Sequence, residues 1–124
     1  MSGIDLNCPI EYSHSSLRFF APEECHITRY CGDDVLLLVY DGVLRFTEDG
    51  IHYSLHPGQY HIQKHDSHQS GPVPSDSPRY LYVHFRGHWQ ETGDALLPRS
   101  GEFDYGALRP LMEEMDALAH SGAP

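Results

Sequence analysis

Ten histidines stand in 124 residues, and five fall within residues 52–68: His52, His56, His61, His65 and His68. Neutral imidazole is the commonest side-chain ligand for transition metals, so His61-x3-His65-x2-His68 is the first place to look for metal chemistry. The spacing argues against it. Residues four apart on a strand share a face but stand roughly 13 Å apart, too far to meet on one ion unless the chain turns. The reading taken is hydrogen-bonded or solvent-facing imidazoles, with no metal site and no cofactor. Nucleophilic catalysis finds no Gly-x-Ser-x-Gly elbow, no cysteine sits in a catalytic context, and Gly-rich phosphate loops are absent. The acidic residues lie in turns and on the tail, where carboxylates are solvated. No catalytic residue is assigned, and an enzyme is not expected.

The aromatic run near residue 80 is more informative. On a strand over 79–85, Tyr80, Tyr82 and His84 share one face, and Leu81, Val83 and Phe85 the other. A strand apolar on both faces is covered on both sides. Two phenols and an imidazole offer flat apolar bodies with hydrogen-bonding tips, which is what a pocket for a small polar ligand needs. The same tips would also suit a solvent boundary, and the residues alone leave both readings open.

The elements that must position these groups are short strands and turns. Residues 1–16 are polar and weakly patterned, and read as a loosely packed arm. Residues 17–20 form a first strand stopped by Ala21-Pro22, and 25–30 a second, ended by Gly32-Asp33-Asp34. Residues 35–40 are the strongest strand, ending at Asp41-Gly42. Leu44 and Phe46 then alternate with Arg45 and Thr47, Asp49-Gly50 supplies a hairpin turn, and 51–55 alternates again. Pro57-Gly58 turns the chain into a strand over 59–63. Residues 64–77 read as loop, 79–85 as strand and 88–103 as irregular. The period then changes. Leu108, Leu111, Met112, Met115 and Leu118 form one helical face, Asp104 is placed to cap it, and Pro110 fits only near its first turn. Evenly spaced strand–turn units of this kind predict a small antiparallel barrel or sandwich.

Length and composition bound the function. A chain of 124 residues with 40% hydrophobic and 21% charged residues predicts one globular domain. A formal charge of −10, with only eight Lys and Arg and no basic cluster, argues against gripping DNA or an anionic membrane. No stretch approaches the roughly 20 apolar residues of a membrane span. The N-terminus lacks a charged-then-apolar leader pattern, and Cys8, Cys25 and Cys31 read as free thiols of a reducing compartment. A cytoplasmic location is therefore expected.

The run from about Arg29 to Gly87 resembles the cupin-type N-terminal sensor domain of AraC-type bacterial transcription regulators. The matching pieces are the apolar strand Leu36–Gly42, the Tyr53-Ser-Leu-His-Pro-Gly58 turn, and Ile62 followed by His68 at the end of a loop. The last is Tyr80-Leu-Tyr-Val-His-Phe-Arg-Gly87, similar to the family's aromatic strand ending in His-Phe. The final helix looks like the family's dimerisation helix. The loop departs from the pattern, with Gln63, Lys64 and His65 in place of its prolines and glycine. Metal-binding cupins carry a His-x-His and a Glu before the apolar strand; residues 28–34 have neither, and only His68 matches a metal position.

The resemblance implies a double-stranded β-helix barrel (cupin-like) over 17–103, preceded by an arm over 1–16 and followed by a dimerisation helix and tail over 104–124. It implies a sugar-like small polar effector bound by Arg29, His68, Tyr80, Tyr82 and His84. It implies a homodimer through Leu108, Leu111, Met112, Met115 and Leu118, and DNA contact only through a separate helix-turn-helix domain. Two rivals stand beside it. One is a small metal-dependent cupin enzyme, an isomerase or dioxygenase, using His61, His65, His68 or His84. The other is a bare dimerisation module whose barrel is filled by its own side chains.

Overall fold

The computed structural model describes residues 2–120. In chain order it has β1 (Gly3–Asp5), β2 (Glu11–Phe19), β3 (Arg29–Tyr30), β4 (Asp34–Glu48), β5 (Ile51–Leu55) and β6 (Gln59–Gln63). Then come β7 (His68–Ser70), β8 (Asp76–Arg86), β9 (Trp89–Gln90), β10 (Leu96–Pro98), β11 (Ser100–Glu102) and α1 (Tyr105–Ala119). The fold is mainly β with a C-terminal helix, and the strand pairs are antiparallel.

β4 organises the molecule. Its first half pairs β6 and β8, with Val35 opposite both Gln63 and His84. Its second half pairs β5 and β7. The expected strand end at Asp41-Gly42 is instead a bend within one long strand. The β4–β8 register shifts on either side of Asp41. Gly42 has φ +68°, and a Cβ there would lie 2.3 Å from the Asp76 carbonyl oxygen. Only glycine allows that conformation and that approach, so the chain passes from one sheet to the other here without breaking. Asp49-Gly50, by contrast, is the expected hairpin turn. Both residues have positive φ, +47° and +82°, and Glu48 pairs directly with Ile51.

The sheet made by β2, β8, the first half of β4, β6 and β11 is covered on both faces. Leu38, Tyr60, Ile62, Leu81, Val83 and Phe85 point to one core, with Ile4 and Met112. Val35, Leu37, Val39 and Tyr80 point to the other, with Phe20, Leu44, Phe46 and Leu55. The second core lies between the two halves of β4, and it is the one that opens into the site described below.

Residues 2–16 are not a loose arm. Ile4 is fully buried, β1 sits between β9 and β10 as a small third sheet, and β2 begins at Glu11 rather than at Leu17. The strand expected over 25–30 shrinks to Arg29–Tyr30, the loop over 64–77 contains β7, and the irregular stretch over 88–103 contains three short strands.

The helix starts where expected. Asp104 accepts a hydrogen bond from the Ala107 amide at 3.2 Å. Pro110 lies inside the helix rather than in its first turn. Met112 is buried at 2% exposure, and Leu108 and Met115 pack half-buried beside it on the chain's own sheet. These three of the five residues assigned to a dimer seam are therefore covered within the chain, while Leu111 is 52% and Leu118 64% exposed. The expected tail over 121–124 lies outside the described residues.

Candidate functional site

The core between the two halves of β4 is not filled. Beside it lies a cavity of about 610 Å³, within the roughly 300–1,000 Å³ typical of small-molecule sites. Its wall is built from the even-numbered face of β8, from β2, and from the segment that leads into β3. Arg29, Tyr80, Tyr82 and His84 all line it. These residues lie as much as 55 positions apart in the chain and are brought together because β8 pairs the first half of β4 across from them.

Tyr80 stands edge-on to Phe20, with ring centroids 5.8 Å apart. Burial pushes its phenol up to about 12, so it remains a hydrogen-bond donor at all ordinary pH. Tyr82 stands edge-on to His84 at 5.6 Å. Among the described residues neither tyrosine hydroxyl has a hydrogen-bond partner in the protein. These hydroxyls reach open cavity space, since the one enclosed side-chain polar atom without a partner among the described residues is Gln63 Oε1. Arg29 donates from Nε to Gln69 Oε1 at 2.9 Å, which fixes the stem of the guanidinium at the wall. Burial lowers the His84 pKa, helped by the charges of His14 and Arg29 and opposed by the Asp33 carboxylate.

His68 does not join this group. It pairs with Tyr30 across β3 and β7, its ring 4.9 Å from the tyrosine ring, and it is not among the cavity-lining residues. The other loop histidines are also apart. His61 is fully buried, bonded to Glu48 Oε1 at 2.9 Å and to Ser100 Oγ. His65 is held by Asp34 Oδ1 at 2.8 Å. Among the described residues, His61, His65 and His68 form no cluster with the separations of shared metal ligands.

Several lining residues escape a reading of the sequence: His14, Arg18, Phe20, Glu24 and His26. His14, Arg18 and Phe20 do keep the two-residue period of a strand face, so a signal was present. It was masked because the stretch from Glu11 to Ser16 contains no aliphatic residue. Arg18 binds Glu24 at 2.6 Å and its guanidinium lies 4.7 Å from the Phe20 ring centre. His26 donates from Nδ1 to the Ile27 carbonyl at 2.6 Å and accepts at Nε2 from the Gln63 amide at 3.1 Å. Burial lowers its pKa to about 4, which keeps it neutral.

The arrangement can therefore hold a small molecule between aromatic edges, with two guanidinium groups and two phenols supplying directional contacts. No protein-family model matches this chain, and no curated protein matches it significantly.

Proposed function

We propose that this chain is the effector-sensing domain of an AraC-type transcription regulator, a cupin-like double-stranded β-helix that binds a sugar or similar small polar metabolite. The observation that carries the reading is the cavity beside the core between the two halves of β4, where Arg29, Tyr80, Tyr82 and His84 converge and both phenol hydroxyls lack partners among the described residues. A buried or half-buried tyrosine hydroxyl ordinarily has a partner, so the groups are set for one that arrives with a ligand. Aromatic bodies beside arginines suit a compact molecule with hydroxyl or carboxylate groups.

In this reading the chain acts as a homodimer through the exposed part of α1, and DNA is met by a separate helix-turn-helix domain. The charge of −10 supports leaving DNA contact to another domain. Control would require that the effector bind one arrangement of the dimer better than the other.

The test is thermal denaturation of the chain against a panel of neutral pentoses, hexoses and their uronic acids. A binder present at a hundred times its Kd stabilises the fold by about 2.7 kcal/mol, which raises Tm by about 10 °C in a chain of this size. Tyr82→Phe and Arg29→Met should each abolish most of that rise. A rise that survives both substitutions, or no rise with any member of the panel, overturns the reading.

A further inference from the structure

A second constellation lies at the edge of the cavity, where β2, β8 and the lead into β4 meet. Tyr12 stands opposite Phe85, yet His14 stands opposite His84, so one extra residue is inserted in β2 at Ser13. Regular pairing would set Ser13 across from His84 and turn His14 to the other face. The bulge instead brings both imidazoles to one face, stacked with centroids 4.2 Å apart and planes 14° from parallel.

From the other flank, Asp33 places Oδ2 3.3 Å from His84 Nδ1, and Cys31 places Sγ 3.8 Å from the same nitrogen. Ligand atoms on one tetrahedral ion, at roughly 2.0–2.3 Å from it, stand about 3.3–3.8 Å from each other. The carboxylate already keeps such a separation from His84. The ligand atoms of His14, Asp33 and His84 all lie within 4.8 Å of one another. His14 is exposed, so its ring can turn the remaining distance without disturbing the core. Ser13 Oγ lies 3.0 Å from His14 Nδ1, and with Nδ1–H donating to it the Nε2 lone pair is left for a metal.

We propose that His14, Asp33 and His84 form a three-residue binding site, with an open fourth position, for a divalent transition ion of the zinc class. Two imidazoles and one carboxylate are a borderline donor set, which selects Zn²⁺ or Co²⁺ over Mg²⁺ or Ca²⁺. The site shares none of the loop residues His61, His65 and His68. The expectation of no metal rested on a missing local His-x-His, and this set is drawn instead from three segments about 20 to 70 residues apart. His14 and His84 also line the cavity, so the ion would sit in its wall. The proposal stands independently of the effector reading, since it needs no organic ligand.

The experiment uses the chain with any tag removed and stripped with a chelator, titrated with Zn²⁺ by calorimetry and with Co²⁺ by absorbance. One equivalent should bind saturably, and Co²⁺ should give the intense visible bands of a tetrahedral centre. His14→Ala and Asp33→Asn should each weaken binding by about 100-fold or more. His56→Ala and His120→Ala should leave affinity unchanged. His14 and Asp33 lie outside the core, and circular dichroism of each metal-free variant verifies its fold. His14→Gln serves as a second variant at that position. Absence of a saturable equivalent, or wild-type affinity in the His14 and Asp33 variants, overturns the proposal.

Discussion

Glu48 is a buried carboxylate whose removal should be felt by the whole fold. It is 1% exposed, accepts three hydrogen bonds and forms an ion pair. The bonds come from His61 Nε2 at 2.9 Å, Ser67 Oγ at 2.6 Å and the Lys64 amide at 2.8 Å, and the pair is with Arg99 Nη2 at 2.7 Å. The substitution Glu48→Ala strands these donors unequally. Ser67 keeps an alternative acceptor in the Lys64 carbonyl at 2.7 Å, and Arg99 is partly exposed. The Lys64 amide and the His61 ring lose their acceptor inside the protein, at about 1–3 kcal/mol each. Loss of the carboxylate also lifts its own desolvation penalty, so the net cost is set at about 3 kcal/mol, the low end for breaking a buried pair. For a chain of this length that lowers Tm by about 12 °C. Thermal denaturation at pH 7 reads it directly, with Asp76→Asn, which breaks only an exposed pair with Arg45, as a control that melts close to wild type. A Glu48→Ala protein melting within about 3 °C of wild type would refute the claim that this network holds β4, β6 and the 64–67 turn together. The titration of Glu48 reflects the same contacts. Burial alone raises the Glu48 pKa, but the bonds from His61 and Ser67, the Arg99 charge and the Lys64 amide together leave it lowered. Its stabilising effect is therefore complete above the ordinary glutamate pKa and is lost as pH falls through the lower folded value.

Two further outcomes are expected. Burial holds His26 at a pKa of about 4, against 6.5 when unfolded, so its contribution is full above pH 6.5 and is lost as pH falls toward 4. Urea denaturation should show about 2 kcal/mol less stability at pH 5 than at pH 7 from this residue, and His26→Leu should flatten that part of the profile. On the helix, Leu111→Asp with Leu118→Asp should yield a monomer that keeps its melting temperature, because both residues are exposed. Sedimentation showing a wild-type monomer at tens of micromolar, or a dimeric double variant, would remove α1 from the assembly.

Local chemistry was legible in the sequence, and pairing across distance was not. Asp49-Gly50 and Asp104 announce a hairpin and a helix start because the residues that adopt the special conformation also carry its cause. Asp41-Gly42 misleads for a physical reason. A glycine that ends a strand and a glycine that lets a strand bend past Asp76 present the same residue. Glu11 to Ser16 reads as an arm because this strand lies at the sheet's edge and is mostly exposed; its order comes from hydrogen bonds to β8, which leave no hydrophobic signature. Tyr80 and Tyr82 were legible as a facing pair from the two-residue period, and Arg29 from the resemblance. His68 was placed with them from the resemblance, but β7 pairs it with Tyr30 instead. The grouping of His14, Asp33 and His84 depends on a bulge at Ser13 and on three strands lying side by side, which no local spacing records.

The most direct test of the central claim, that the cavity lined by β2, β8 and the first half of β4 is a small-molecule site, is amide chemical-shift mapping. The isotope-labelled chain is titrated with the pentose, hexose and uronic-acid panel. A saturable titration is expected with at least one member. The largest displacements should fall at Arg18, Arg29, Tyr80 and Tyr82, residues that line that cavity. Displacements confined to the apolar groove beneath α1, around Leu36, Leu97 and Met112, or no saturable displacement by any member, would contradict it.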